Sequence, residues 1–315
     1  MKIQKYEIWM REQIIALFKL EYGSDADNFD IYFNQFYEHA FQDKTGVRIV
    51  ALEGDQVIGF QSFFNWPLCV RGQIVRSYQS GNSLVHPDFR GKGLFSKMLM
   101  YVHSEEAQIP CDLLIGFPVT MSFGAFIKNK WLNPFDLQWY VRPLRPIRSV
   151  LTQPDKKMHQ QWSARQETNL INSGDTVQVE QSKAYDRYRF AHQNGNYWRF
   201  EYEDNRGKIL FELKSHLRKK ILKELIIGRI IRTDKHPDLL EAALHAMIKK
   251  INDTASFSFL SIAINPLSNT LLQAIEGQGF KKIDKKIHFV TTGEVASRET
   301  DWSSWELYRG DIDTW

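Results

Sequence analysis

The chain has 315 residues, 43% of them hydrophobic and 25% charged, and 41 basic against 37 acidic residues leave a net charge of +4. That length predicts two domains, and the composition excludes a disordered, fibrous or membrane-embedded chain. The mild charge leaves no nucleic-acid footprint, whereas a small phosphate-bearing ligand fits it.

The N-terminal MKIQKYEIWMREQ alternates charged and apolar residues and has no signal-peptide core. Residues 8–20 then repeat apolar side chains at helical spacing, and an aromatic-rich helix is expected at 30–41. Runs at 48–52 and 56–64, separated by Glu53-Gly54-Asp55, predict a β-hairpin. Residues 73–85 predict the next strand, which Pro87 ends. From Gly91 to Glu105, Leu94, Phe95, Met98, Leu99, Tyr101 and Val102 recur at helical spacing. A buried strand at 111–117, a short helix at 120–130 and a strand at 138–142 complete the first half.

Polar residues 146–180 predict the connection between halves. Strands at 208–214 and 223–232, a helix at 237–251, a strand at 256–264, a helix at 267–277 and a strand at 280–290 follow. The longest apolar run, Ile226 to Ile231, is interrupted by Gly228 and Arg229 and is too short to span a membrane. Cys69 and Cys111 lie in apolar, strand-like runs without metal or redox spacing, so buried inert thiols in a reducing compartment are expected.

The chemistry concentrates between Ser83 and Leu94, where Val85-His86-Pro87 ends a strand and Arg90-Gly91-Lys92-Gly93 leads straight into a helix. Two glycines let successive backbone N–H groups face one concavity, and the helix adds unpaired donors and the positive end of its dipole. Such a concavity suits a pyrophosphate, with Arg90 and Lys92 as mobile cations at the rim.

These residues resemble motif A of the GNAT superfamily of N-acetyltransferases. The resemblance implies an α/β (mixed) chain of two tandem GNAT-like domains, each a mixed, largely antiparallel sheet flanked by helices. Residues 1–147 would be the acyl-CoA-binding domain, 148–180 the connecting segment, and 181–315 a degenerate domain without the phosphate loop. Leu84, Val85, Arg90, Gly91, Lys92, Gly93, Leu94 and Phe95 would hold the acyl-CoA cosubstrate, acetyl-CoA or another acyl-CoA. The strand ending at Val85 would splay from the one at 111–117, with the pantetheine arm in the gap. Phe95 replaces the usual small residue and is expected to point into the core.

The usual catalytic groups are missing. Aligning Trp131 with the family's aromatic end puts Val119 where an Asn is usual and Phe126 where a proton-donating Tyr is usual. No Asp or Glu occurs from Gln56 through Pro87, so the usual glutamate base is absent as well. Tyr78, His86 and His103 are candidates for proton transfer, though a half-buried Tyr78, a solvent-facing His86 and a polar-face His103 are the simpler readings. Ser122 is a further candidate, more readily an N-cap.

In the second half, Thr233-Asp234-Lys235-His236-Pro237-Asp238 stands where the loop would be, so no coenzyme is expected there. Tyr197, Trp198, Phe200 and Tyr202 would line a pocket or belong to the core. Asp311-Ile312-Asp313 is expected to be solvated, and no metal site is assigned. The expected function is direct transfer of an acetyl or short acyl group from coenzyme A to a primary amine of a small molecule or sugar. A non-catalytic acyl-CoA-binding protein and an aminoacyl transferase using transfer RNA are the alternatives. A cytoplasmic protein acting on small molecules, without nucleic-acid or membrane partners, is expected.

Overall fold

The computed structural model describes residues 1–23, 28–144, 176–180, 182–190, 197–219, 221–232, 236–254 and 257–314. Strand β1 (Lys2–Lys5) leads through a 3-10 turn at Ile8–Met10 into α1 (Arg11–Tyr22), which buries Ile14, Ile15, Leu17 and Phe18. The helix expected at 30–41 is broken into α2 (Phe29–Tyr37) and α3 (Ala40–Asp43), because the His39 ring accepts the Phe41 N–H (3.1 Å) and starts a new turn. The expected hairpin forms from β2 (Val47–Glu53) and β3 (Gln56–Asn65).

The strand expected at 73–85 is divided. Short strands β4 (Leu68–Val70) and β5 (Gln73–Val75) belong to a separate sheet, and β6 (Ser77–Val85) starts afresh. Next come α4 (Leu94–Tyr101), β7 (Leu113–Gly116), α5 (Thr120–Lys128) and β8 (Asp136–Pro143). Of the expected connecting segment, residues 148–175 lie outside the described residues, and the remainder holds β9 (Val177–Val179).

Helix α6 (Lys183–Phe190) and strand β10 (Tyr197–Asp204) were not expected; β11 (Gly207–Arg218) and β12 (Leu222–Arg232) extend the predicted strands. The chain continues through α7 (Pro237–Thr254), β13 (Phe259–Ile264), α8 (Asn269–Gly277) and β14 (Lys281–His288). Strand β15 (Val290–Thr292) and α9 (Glu294–Arg298) follow, so the strand expected at 280–290 is two strands in two sheets.

Two units result, neither continuous in sequence. The first comprises Met1–Pro67, Val75–Pro134 and His288–Glu299; the second comprises Leu68–Ile74, Phe135–Ile287 and Thr300–Trp315. The first unit's sheet runs β1-β2-β3-β6-β7-β15, antiparallel except between β6 and β7. The second unit's larger sheet runs β10-β11-β12-β13-β8-β14, with β12 and β13 parallel. Strand β8, expected to complete the first half, therefore pairs with β13 in the second unit.

In the first unit, Ile49, Phe63, Leu94, Met98, Leu114 and Phe126 share one core on the α4 and α5 side of the sheet. The other face carries an aromatic layer in which Phe18 of α1 and Tyr37 of α2 meet Phe60, and Tyr37 stacks on Phe64 at 5.5 Å. In the second unit, α7 and α8 bury Leu240, Leu244, Met247, Leu271 and Ile275 against the sheet. Trp198 belongs to that core, with Phe200 and Tyr202 packed on it, so these aromatics serve packing.

Candidate active site

The loop ahead of α4 has the backbone its glycines predict. Gly91 and Gly93 adopt φ of 74° and 72°, a region that side-chain-bearing residues rarely enter. A Cβ built on either would meet nothing within 4 Å, so the concavity opens outward. The first helical hydrogen bond runs from Lys97 N–H to Gly93 O (3.1 Å), which leaves the amides from Gly91 to Ser96 ahead of the helical ladder. Gly93 caps the helix without a side-chain bond.

The two expected rim cations are held in place. The Arg90 guanidinium donates from Nε to Val85 O (3.1 Å) and pairs with Glu21 of α1. Lys92 Nζ donates to Asp88 O (3.1 Å) and lies over the Phe89 ring at 4.7 Å. Phe95, as expected, turns inward and meets Phe126 edge-on at 5.5 Å. Asn129, which sequence reasoning missed, donates to Ser96 Oγ (2.9 Å) and Ala125 O (2.7 Å), bracing the first turn of α4 against α5.

Beside the loop the sheet opens. Strands β6 and β7 pair from Ser77 with Leu113 to Ser80 with Gly116, and β6 then continues alone to Val85 on that side. The closed end is clamped by Arg76, whose Nη2 and Nε bind the Asp112 carboxylate at 2.7 and 3.0 Å, and this ion pair holds Asp112 below the usual carboxylate range. At the open end the register of β3 against β6 shifts between Phe60 and Ser62, and Asn82 takes a φ of 48°. Ser62 Oγ donates to Gly81 O (2.6 Å), while the Asn82 amide donates to Tyr37 (2.7 Å) and Tyr32 (3.1 Å).

A phosphate-sized loop at a helix N-terminus, set beside two parallel strands that part, has counterparts among known proteins. Residues 3–125 match the acetyltransferase (GNAT) domain family. That stretch is similar to a GNAT domain. Similar solved structures extend the likeness beyond it. A GCN5-related N-acetyltransferase from Anabaena variabilis is 13% identical with a TM-score of 0.60, covering 92% of this chain and 72% of that one. One from Kribbella flavida is 12% identical with a TM-score of 0.53, covering 92% and 70%. Saccharomyces cerevisiae N-myristoyltransferase with bound myristoyl-CoA is 14% identical with a TM-score of 0.50, covering 93% and 78%. At these identities the likeness is one of fold. No curated protein matches the sequence.

Within the first unit the candidate proton-transfer residues Tyr78, His86 and Ser122 do not converge. Tyr78 points its hydroxyl toward Pro110 O (3.5 Å), ahead of β7 and so at the closed end of the strand pair. Burial, aided by Cys111, raises its pKa above that of a free tyrosine. The His86 Nδ1 accepts the Asp88 N–H (3.4 Å) and caps the turn at Pro87–Phe89. Ser122 is not an N-cap: Val119 occupies that position, and Ser122 Oγ donates back to Val119 O (3.1 Å). Phe126, expected from the resemblance to stand where a tyrosine is usual, is 3% exposed and packs on Trp131. Burial pushes the Cys111 thiol up to about 12, consistent with an inert side chain.

The second unit repeats the parted strands but closes the gap with its own chain. β12 pairs with β13 only as far as Ile227 with Ile262, then runs on to Arg232. Tyr308 bridges to Ile264 on one side. On the other, a Cβ on Gly310 would lie 2.6 Å from Gly228 O. Asp311, expected to be solvated, is 1% exposed and binds Arg229 Nε at 2.5 Å. Arg232 pairs with buried Glu306, and Arg189 donates to Gly310 O (3.0 Å), Ile312 O (2.8 Å) and Asp313 O (3.1 Å). Of the segment 233–238, only residues 236–238 are described. Among the described residues no cluster of His, Cys, Asp and Glu suits a metal, and no helix is long and apolar enough to cross a membrane.

Proposed function

We propose that the chain is an acyl-CoA-dependent N-acyltransferase that moves an acetyl or short acyl group to a primary amine by direct transfer. The observation that carries this reading is the outward-facing Gly91–Gly93 loop at the start of α4, set beside the gap that opens past Ser80 and Gly116. The open space at both glycines fits a diphosphate against the amides of residues 91–96. The unpaired edge of β6 from Gly81 to Val85 fits the amide-bearing arm, and the Leu84 and Val85 backbone would receive it. Arg90, already bonded to Val85 O and Glu21, would shape the loop more than it reaches for phosphate.

In the transfer the amine nitrogen bonds to the thioester carbonyl carbon and the carbon–sulfur bond breaks. The thiol departs, taking up the equivalent of the proton that the amine gives up. Holding both reactants at the gap supplies proximity, the main resource of a site without a convergent acid and base. The plugged gap of the second unit supports assigning coenzyme binding to the first alone.

Calorimetry with acetyl-CoA, followed by thiol release across a panel of primary amines, tests the proposal. Saturable binding with amine-dependent thiol release is expected; absence of acyl-CoA binding at millimolar concentration overturns it. Binding without release for any amine favours the non-catalytic acyl-CoA-binding alternative, for which the inward-packed Phe126 and the remote Tyr78 hydroxyl are the supporting observations. Stabilisation by transfer RNA instead of coenzyme A would favour the aminoacyl-transferase alternative.

A further inference from the structure

We propose that Gln79 binds the acceptor, and that the acceptor is a weakly basic primary amine on an aromatic or otherwise apolar body; this rests on the acyltransferase reading above. Gln79 is 0% exposed, and neither its carboxamide oxygen nor its nitrogen has a hydrogen-bond partner. The nearby Gln61 is equally buried, yet its nitrogen donates to Ser62 O (2.6 Å) and Ser80 Oγ (3.1 Å), and its oxygen accepts from Ser83. Leaving both ends of a buried carboxamide unmatched forfeits the hydration of two strong polar groups. A ligand that supplies a donor and an acceptor removes that penalty.

The position of Gln79 suits an acceptor. It pairs with Ile115 of β7 one residue before the last pairing, Ser80 with Gly116, so it stands at the crotch of the gap. From Val85 to Gly81 the free edge of β6 runs about 13 Å toward that crotch. A coenzyme anchored at the loop would therefore bring its acyl end toward the crotch. Phe63 and Ser80, cross-strand partners, lie on the α4 side of the sheet, whereas Phe64 and Gln79 share the opposite face. The loop and α4 belong to the first face, which leaves the second for the amine. There Phe64 stacks on Tyr37 and meets Phe36 edge-on at 6.2 Å, and Ile115 flanks Gln79 on the other side.

The chemistry around Gln79 selects the amine that would reach it. A carboxamide oxygen accepts one N–H and leaves the nitrogen lone pair free to attack, while the carboxamide nitrogen donates to a second polar atom of the acceptor. A carboxamide does not take up the amine proton, β3 and β6 carry no Asp or Glu, and among the helices of that face Glu12, Asp30 and Glu38 pair with Arg11 and Glu21 with Arg90. An ammonium ion brought between these aromatic rings would lack a counter-charge on either strand. An arylamine or hydrazide, already neutral at physiological pH, avoids that cost and releases its proton to solvent as the amide forms.

The test compares the wild type with Gln79→Met and Gln79→Glu, using acetyl-CoA with an arylamine, a hydrazide, a polyamine and an amino sugar. In the wild type, turnover is expected to favour the arylamine or hydrazide. Gln79→Met is expected to raise the KM for that amine about tenfold, to leave acetyl-CoA binding unchanged and to raise the melting temperature by removing two unmatched polar atoms. Gln79→Glu supplies a proton acceptor and is expected to add a pH-dependent limb to the rate and to shift preference toward the polyamine. A wild type that acetylates amines while Gln79→Met keeps the same KM overturns this proposal alone, as does a wild type that prefers the polyamine or amino sugar. If Gln79→Met does not fold, a Gln79→Glu variant with unchanged pH profile and preference overturns it. A wild type that binds no acyl-CoA overturns the acyltransferase reading, and this proposal with it.

Discussion

Gly93 joins backbone conformation to ligand space. Its φ of 72° costs a β-branched residue about 1–2 kcal/mol, and a side chain there would project into the concavity. Gly54, in the β2–β3 turn, has a similar φ of 59° and equally open surroundings. Gly93→Val and Gly54→Val are therefore expected to lose similar stability, whereas only Gly93→Val weakens acetyl-CoA binding, by about tenfold or more. Thermal melts and calorimetry on the pair separate strain from ligand exclusion; equal affinities would show that the phosphates bind elsewhere. The loop was legible in the sequence because its signal is local, two glycines next to a helical repeat. Gln79 was not, because a glutamine in the run Gln79-Ser80-Gly81-Asn82-Ser83 reads as the polar half of an alternating strand. Only the burial of both faces by helices turns it into an unmatched polar group.

Helix α4 presents its first-turn amides at a fixed place because neighbours hold it there. Asn129, just past the end of α5, bonds both its own helix and Ser96 in the first turn of α4. Asn129→Ala is expected to cost about 1–2 kcal/mol and to weaken acetyl-CoA binding several-fold through a looser loop. Urea denaturation and calorimetry check this, and an unchanged affinity alongside lost stability would confine Asn129 to packing. Helix periods were read correctly along most of the chain, since α1, α4, α7 and α8 each carry an apolar stripe. Short strands were harder. Nothing in Leu68–Val70 says that it pairs with Val177–Val179 rather than with a sequence neighbour, and β14 and β15 read as one run although a single residue separates two sheets.

Across the molecule the least legible feature is the buried charge of the second unit. Glu212, Arg229, Arg232, Glu306 and Asp311 look like solvated positions in sequence, yet each is nearly fully buried. Arg229 alone contacts Asp311, Glu212 and the Tyr185 hydroxyl (3.3 Å). Breaking one partner of such a set is severe, because the other charge remains in a dry interior. Glu306→Ala is expected to cost about 3–5 kcal/mol, and Glu306→Leu combined with Arg232→Met considerably less. Denaturation of the single and double variants decides the point; equal losses would indicate that packing, not charge, holds residues 305–311 in the gap.

The discontinuity of the first unit sets an order of events during synthesis. The first unit's sheet ends on β15, whose Val290, Thr291 and Thr292 pair with Gly116, Ile115 and Leu114, and Thr291 Oγ1 donates to Leu114 O (2.8 Å). The strand that walls the gap thus stays an open edge while the intervening chain is made. A ribosome must deliver residue 292 before this sheet can finish, so a nascent chain carries an unfinished first unit through most of its translation. Premature termination anywhere before that strand takes β15 from the first unit and Thr300–Trp315 from the second, rather than releasing a self-sufficient N-terminal unit.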